Sequence, residues 1–255
     1  MSREVITSRT NPLIARIRKL TADKALRRAE NCFLGEGTKL LEEALHWGVA
    51  VETVLYTRET PLPGLPQSVR QVEVPADLLK SVASTQTPQG VLFLCRGTSL
   101  AAPDQLKGSR YLVLDGLQDP GNVGTIWRTA DAFGADGLFL INQCADPWNP
   151  KTIRATMGAC FRLPVWETGL EQMKIQLDRA GIPLYATALR NDTSDLRAVD
   201  LKRCAVAIGS EGRGVSRQIL ESCVKTIKIP MAARCESLNA AVAAAVVLWE
   251  SCREG

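Results

Sequence analysis

The amino-acid sequence predicts an α/β protein of two units, the second built on a mostly parallel sheet with helices on both faces. Strand-like apolar runs alternate with helical periodicities on either side of a small, polar, Pro- and Gly-bearing stretch at residues 96–110. Beyond that stretch the apolar runs are four to six residues long and do not alternate with polar residues, as suits strands buried on both faces. At 255 residues, 45% hydrophobic and 23% charged, the composition is ordinary for one large or two ordinary globular domains.

Leu13, Ile14, Ile17 and Leu20 fall at helical spacing, so residues 11–29 read as one amphipathic helix with its arginines largely off the apolar stripe. Residues 1–28 hold eight Lys and Arg against Glu4 and Asp23, a local charge of +6 that leaves −2 for the rest of a chain whose total is +4. Clustered cations bind polyanions through phosphate contacts and counterion release, which makes nucleic acid the first partner to consider and a solvated helix face the alternative. FLGEGTKLLEEALHWG (33–48) reads as a strand and then a helix stopped by Gly48, and His46 within it as a partly buried structural residue. VETVLYT (51–57), RQVEVP (70–75) and GVLFLC (90–95) read as strands, with a helix near 76–83. The organisation expected is a basic helical extension (1–28), an α/β domain (29–97), a linker (98–109) and a second α/β domain (110–255).

In the second domain the strands expected are 111–117, 137–141, 163–167, 183–187, 204–209 and 225–230. Helices are expected at 124–133, 150–158, 170–180 and 215–222. The closing stretch IKIPMAARCESLNAAVAAAVVLW (227–249) runs from a strand through a polar turn into a helix with Ser237 as N-cap and Asn239 in its first turn. That helix is too rich in Ala and Val for a surface helix, so its faces should be covered, one of them by a second copy of the protein.

No apolar run reaches the roughly 18–20 residues of a membrane span, and MSREVITSRTNP lacks the apolar core of a secretory leader, so the expected location is cytoplasmic. The eight cysteines stand singly with no CxxC pair and a single histidine, which argues for reduced thiols and against a zinc site or disulfide framework. There is no GxxxxGK[ST] loop, and the 121–124 spacing does not meet the dinucleotide fingerprint, so a nucleotide-dependent oxidoreductase is the weaker enzyme reading.

Three loops follow predicted strands at their carboxyl ends, where open parallel sheets bind ligands. In DGLQDPGNVGTIWRTADAFGADG, Asn122 precedes a helix carrying Arg128; GSEGRGVS (209–216) places three glycines around Glu211; the closing stretch is the third. In this order they resemble the three signature motifs of the SpoU/TrmH branch of the SPOUT RNA methyltransferases. DPWNPKTIRATMGACFRLPV (146–165) adds to the likeness, and FLGEGTKLLEEAL with TQTPQGVLFL is similar to the family's ribosomal-protein-like substrate-binding domain.

The resemblance implies a C-terminal sheet with a trefoil knot, S-adenosyl-L-methionine as cofactor, a homodimer through the C-terminal domain, and methyl transfer to a ribose 2'-hydroxyl of RNA. Ribosomal RNA is favoured over transfer RNA because a substrate-binding domain precedes the catalytic one. A non-catalytic RNA-binding protein on the same scaffold is the competing reading. Family positions for catalysis and RNA handling fall on Asn122, Arg128, Glu211, Ser237 and Asn239, and for the cofactor on Thr187, Gly209, Ile229, Met231 and Leu238. Ala233 and Cys235 depart from the family's usual glycine and aliphatic residue. The resemblance implies Arg128 as the base; guanidinium groups ordinarily keep their proton, so the expectation is that Arg128 stabilises the developing 2'-alkoxide by charge, with proton transfer to it left open.

Overall fold

The computed structural model describes residues 4–190, 192–235 and 237–253 and divides into two compact units. One unit comprises the chain through residue 98 together with 146–161; the other comprises 99–145 and the chain from 162 onward.

In the first unit, β1 (Glu4–Val5), α1 (Pro12–Ala22), α2 (Lys24–Glu30), β2 (Cys32–Glu36), α3 (Thr38–His46), β3 (Val51–Tyr56), β4 (Arg70–Glu73), α4 (Ala76–Lys80) and β5 (Val91–Arg96) follow one another. They form a mixed sheet in the order β1-β4-β3-β5-β2, in which β5 runs antiparallel to both neighbours. Leu13, Ile14, Ile17 and Leu20 of α1 are buried in the same core as Leu55, Val72 and Leu92 of the sheet. The basic segment is therefore part of this unit's core, not a separate extension.

The single helix expected over 11–29 is interrupted at Asp23, whose carboxylate accepts the Ala25 and Leu26 N–H groups and so caps a second helix. The basic cluster is also partly consumed internally. Arg27 is 2% exposed and pairs with the buried Asp146 at 2.8 Å, while Arg16 pairs with Glu30 and Arg9 with Asp77. Arg18, Lys19 and Lys24 stay on the surface, and Arg3 lies outside the described residues. His46 is exposed at the end of α3 and not partly buried, its ring edge-on to Trp47.

The second unit holds β6 (Arg110–Asp115), α5 (Pro120–Ala132) and β7 (Gly137–Ile141). After α6 (Pro150–Thr156), which belongs to the first unit, come β8 (Val165–Glu167), α7 (Leu170–Ala180), β9 (Leu184–Thr187) and β10 (Ser194–Asp195). Then follow β11 (Cys204–Gly209), α8 (Arg217–Ser222), β12 (Lys225–Lys228) and α9 (Ala240–Ser251). The sheet order is β10-β12-β9-β11-β6-β7-β8, and every pairing is parallel. In β6, Tyr111 and Val113 enter one core with Phe139 and Ala205, while Leu112 and Leu114 are buried on the other face. That two-sided burial is the reason the strands read as unbroken apolar runs.

Residues 146–161 depart from the domain division expected from sequence. Trp148 stacks on Phe33 with ring centroids 4.8 Å apart, and Asp146 receives Arg27, so this stretch packs on β2 and α2. Its partners are more than a hundred residues away, beyond any local pattern.

Candidate active site

Parallel strands deliver their following loops to one edge, and here the loops after β9, β11 and β12 surround a pocket of about 310 Å³. Thr187 comes from the end of β9, Gly209 and Glu211 from the end of β11, and Ile229, Met231, Ser237 and Leu238 from the β12–α9 loop. The Thr187 hydroxyl donates to the Ala207 carbonyl at 3.0 Å, tying β9 to β11 under the pocket. Gly209 is a close-approach position: a Cβ there would lie 2.0 Å from the Gly214 carbonyl carbon. The 210–214 turn, closed by the Gly214 N–H donating to the Ser210 carbonyl at 2.8 Å, folds directly over the strand end.

Asn122 and Asn239 stand at the rim and are joined to the pocket by hydrogen bonds. The Asn239 amide donates to Asn122 Oδ1 at 3.2 Å, and the Asn122 amide donates to Glu211 Oε1. One residue from each of the three signature loops thus forms a continuous chain. Asn239, and not Ser237, caps α9: its Oδ1 accepts the Ala241 and Val242 N–H groups. A start two residues later leaves Ser237 free to line the pocket.

Arg128 is not brought into this pocket. It is exposed on α5, without a hydrogen bond or ion pair among the described residues, and lines neither the pocket nor the neighbouring groove. The groove, about 630 Å³, runs between α5 and α9, with Thr125, Thr129 and Phe133 facing Val242 and Trp249, and Asn122 and Asn239 at one end. Val242 and Trp249 are 50% and 68% exposed, so the apolar α9 has one uncovered face in the single chain.

Sequence reasoning passed over Asp115. Its buried carboxylate accepts the Ser216 N–H and the Asn142 amide, each at 2.6 Å, pinning the 209–216 loop and the loop after β7 to the end of β6. The available signal was a lone carboxylate ending an apolar strand. Leu189 and Ser210, also pocket-lining, lie one or two residues beyond strand ends.

The lining suits a largely apolar ligand with a few polar attachment points: aliphatic Ile208, Ile227, Ile229 and Leu238 are joined by the hydroxyl residues Thr187, Ser210 and Ser237, one carboxylate residue, Glu211, and one cationic residue, Lys228. No group of three or more His, Cys, Asp or Glu able to hold a metal exists among the described residues.

Comparison with known proteins places this geometry. Residues 11–92 match the MRM3-like substrate binding domain, and residues 109–249 match the SpoU rRNA Methylase family. The chain is 34% identical to the Bacillus subtilis 23S rRNA (guanosine(2553)-2'-O)-methyltransferase RlmP over 96% of its length and 97% of that protein's. An S-adenosylmethionine-bound rRNA methyltransferase from Sinorhizobium meliloti superposes with a TM-score of 0.85 at 31% identity, covering 97% of each chain. The SpoU methyltransferase AviRb of Streptomyces viridochromogenes, also with S-adenosylmethionine, superposes with a TM-score of 0.85 at 28% identity, covering 95% of this chain and 97% of that one. With the family match spanning the whole parallel sheet and the three loops at its edge, the chain belongs to the SpoU rRNA methylase family.

Proposed function

We propose that this protein transfers a methyl group from S-adenosylmethionine to a ribose 2'-hydroxyl of ribosomal RNA. The observation that carries the reading is the hydrogen-bonded chain Asn239–Asn122–Glu211, which joins the three signature loops at the mouth of one apolar pocket. Bound S-adenosylmethionine supplies a methyl group on an electrophilic sulfonium. Thr187, Gly209, Ile229, Met231 and Leu238 hold it, the aliphatic side chains excluding water and the strand-end backbone supplying hydrogen bonds. Asn122 and Asn239 hold Glu211 in one orientation, and together with Ser237 they position the ribose.

The Glu211 carboxylate does not by itself stabilise a developing 2'-alkoxide, which calls for a cation in addition to Lys228 of the pocket lining. Arg128 fills that role from a second copy of the chain, docked through the α5–α9 groove in a homodimer. Exposed Val242 and Trp249, and the adjacency of the groove to Asn122 and Asn239, support this arrangement. The crossing of the chain from β12, placed between β9 and β10, back to α9 is in keeping with a trefoil knot. Eight free thiols are in keeping with a reducing, cytoplasmic setting, and no helix among the described residues is long and apolar enough to cross a membrane.

Labelled-methyl transfer to ribosomal RNA tests the reading, with transfer RNA as the competing substrate. Arg128→Ala should keep S-adenosylmethionine affinity and lose turnover; near-wild-type turnover removes Arg128 from the mechanism. Trp249→Glu should convert a dimer to a monomer by sedimentation and lower turnover with it. A chain that binds no S-adenosylmethionine by calorimetry would instead be an RNA-binding scaffold.

A further inference from the structure

The first unit carries a cavity of about 470 Å³, larger than the pocket at the edge of the parallel sheet and entirely within that unit's own residues. Its wall is prepared in a way a solvated hollow would not require. Glu36, at the end of β2, accepts hydrogen bonds from the Ser84 hydroxyl at 3.0 Å and from the Thr85 hydroxyl, and Arg154 donates to Ser84 at 2.8 Å. The carboxylate is thereby fixed in one orientation, yet each oxygen keeps a free lone pair. Gln89 lies against Gly37, whose φ of +99° and lack of a Cβ make the room: a Cβ would meet Gln89 Oε1 at 2.4 Å. The Gln89 amide has no hydrogen-bond partner among the described residues.

Charge decides what the cavity can take. Glu36, Glu42 and Glu43 outnumber Lys39 and Arg154, so a phosphate would meet a net negative wall. The mixture of fixed acceptor, ammonium and amide suits a neutral heterocyclic edge. Met157 completes it: 54% exposed and held at φ +49°, a left-handed conformation that non-glycine residues rarely adopt, it presents an apolar, polarisable thioether beside the polar groups.

We infer that this cavity receives one unstacked guanine of the RNA substrate, read by Glu36 and Lys39 and packed on Met157. Guanine presents adjacent N1–H and N2–H donors that match a carboxylate, and O6 and N7 acceptors that match an ammonium or amide; adenine and cytosine cannot offer that pair of donors. The inference rests on the RNA methyltransferase reading and adds a recognition site in the substrate-binding unit, remote in sequence from the methyl-transfer loops.

Methyl NMR of the full-length protein labelled at methionine tests it, because Met157 reports this cavity and Met231 the pocket at the sheet edge. Titration with guanosine should shift the Met157 methyl saturably, identified by its loss in Met157→Leu, while adenosine and cytidine bind at least fivefold more weakly there. Glu36→Gln, isosteric and expected to fold with unchanged Met173 resonance, should abolish the guanosine preference. It should also raise KM for ribosomal RNA about tenfold with kcat and S-adenosylmethionine affinity kept. A silent Met157, equal responses to all three nucleosides, or an unchanged KM in Glu36→Gln overturns the inference. If Met231 still responds to S-adenosylmethionine and wild-type protein methylates ribosomal RNA, the proposed function survives that failure; if neither occurs, the function itself has failed.

Discussion

Gly209→Ala is the substitution whose consequence follows most directly from geometry. The new Cβ would sit 2.0 Å from the Gly214 carbonyl carbon, 2.2 Å from its oxygen and 2.2 Å from the Val215 nitrogen, all backbone atoms that no rotamer change can remove. Carbon atoms rest about 3.5–4.0 Å apart, so something must move by roughly 1.5 Å. Gly209 is held in the sheet opposite Asp115, so the 210–215 turn is the part that yields. Ser210, Glu211 and Gly214 line the pocket, and a hydrogen bond near 2.9 Å does not survive such a displacement. Overpacking should cost about 1–3 kcal/mol of stability. Loss of about two hydrogen bonds to S-adenosylmethionine, each worth about 0.5–1.5 kcal/mol, should weaken its binding roughly 5- to 150-fold. Calorimetric titration and urea unfolding measure the two effects. Affinity within about twofold of wild type together with an unchanged urea midpoint would refute the argument that this strand end shapes the pocket.

Asp115→Ala strands the Ser216 N–H and the Asn142 amide, and at about 1–3 kcal/mol for each unsatisfied group it should lower unfolding free energy by about 2–6 kcal/mol; a loss below about 0.5 kcal/mol would mean water replaces the carboxylate. With a disulfide reagent at pH 8, exposed Cys235 and Cys252 should react first, and S-adenosylmethionine should slow Cys235, which lies between pocket residues Met231 and Leu238. Burial pushes the Cys32 and Cys144 thiols up to about 11 and Cys204 up to about 12, so these should remain unmodified until the protein unfolds. Because the unfolded chain releases those protons near the ordinary thiol value while the folded chain retains them, stability is intact below about pH 8.5 and should fall as pH rises through 11; a flat urea midpoint from pH 8 to pH 10.5 would contradict the burial.

Much of this protein is written in short-range pattern. β7 occupies the predicted residues 137–141, α7 the predicted 170–180 and β11 the predicted 204–209, because each depends on hydrophobic period and on terminating glycines within the same dozen residues. Two of the three pocket loops, those after β11 and β12, stand out in the sequence for a related reason: a parallel sheet sends every strand end to one edge. There Asn122 of the motif after β6 reaches Glu211 by a hydrogen bond, while the β9 loop carries no motif of its own.

What the tertiary structure alone decided is who pairs with whom. Ser237 and Asn239 are both competent caps, and only the course of the 229–239 loop, with Asn239 held by Asn122, selects the asparagine. Arg27 reads as one more surface cation until Asp146, 119 positions away, buries it; the same packing takes residues 146–161 out of the domain their position suggests. Local sequence encodes backbone preference and the side of an element that avoids water. Which charge is neutralised, which cap is chosen and which apolar face stays open depend on atoms that only the folded chain brings within about 4 Å.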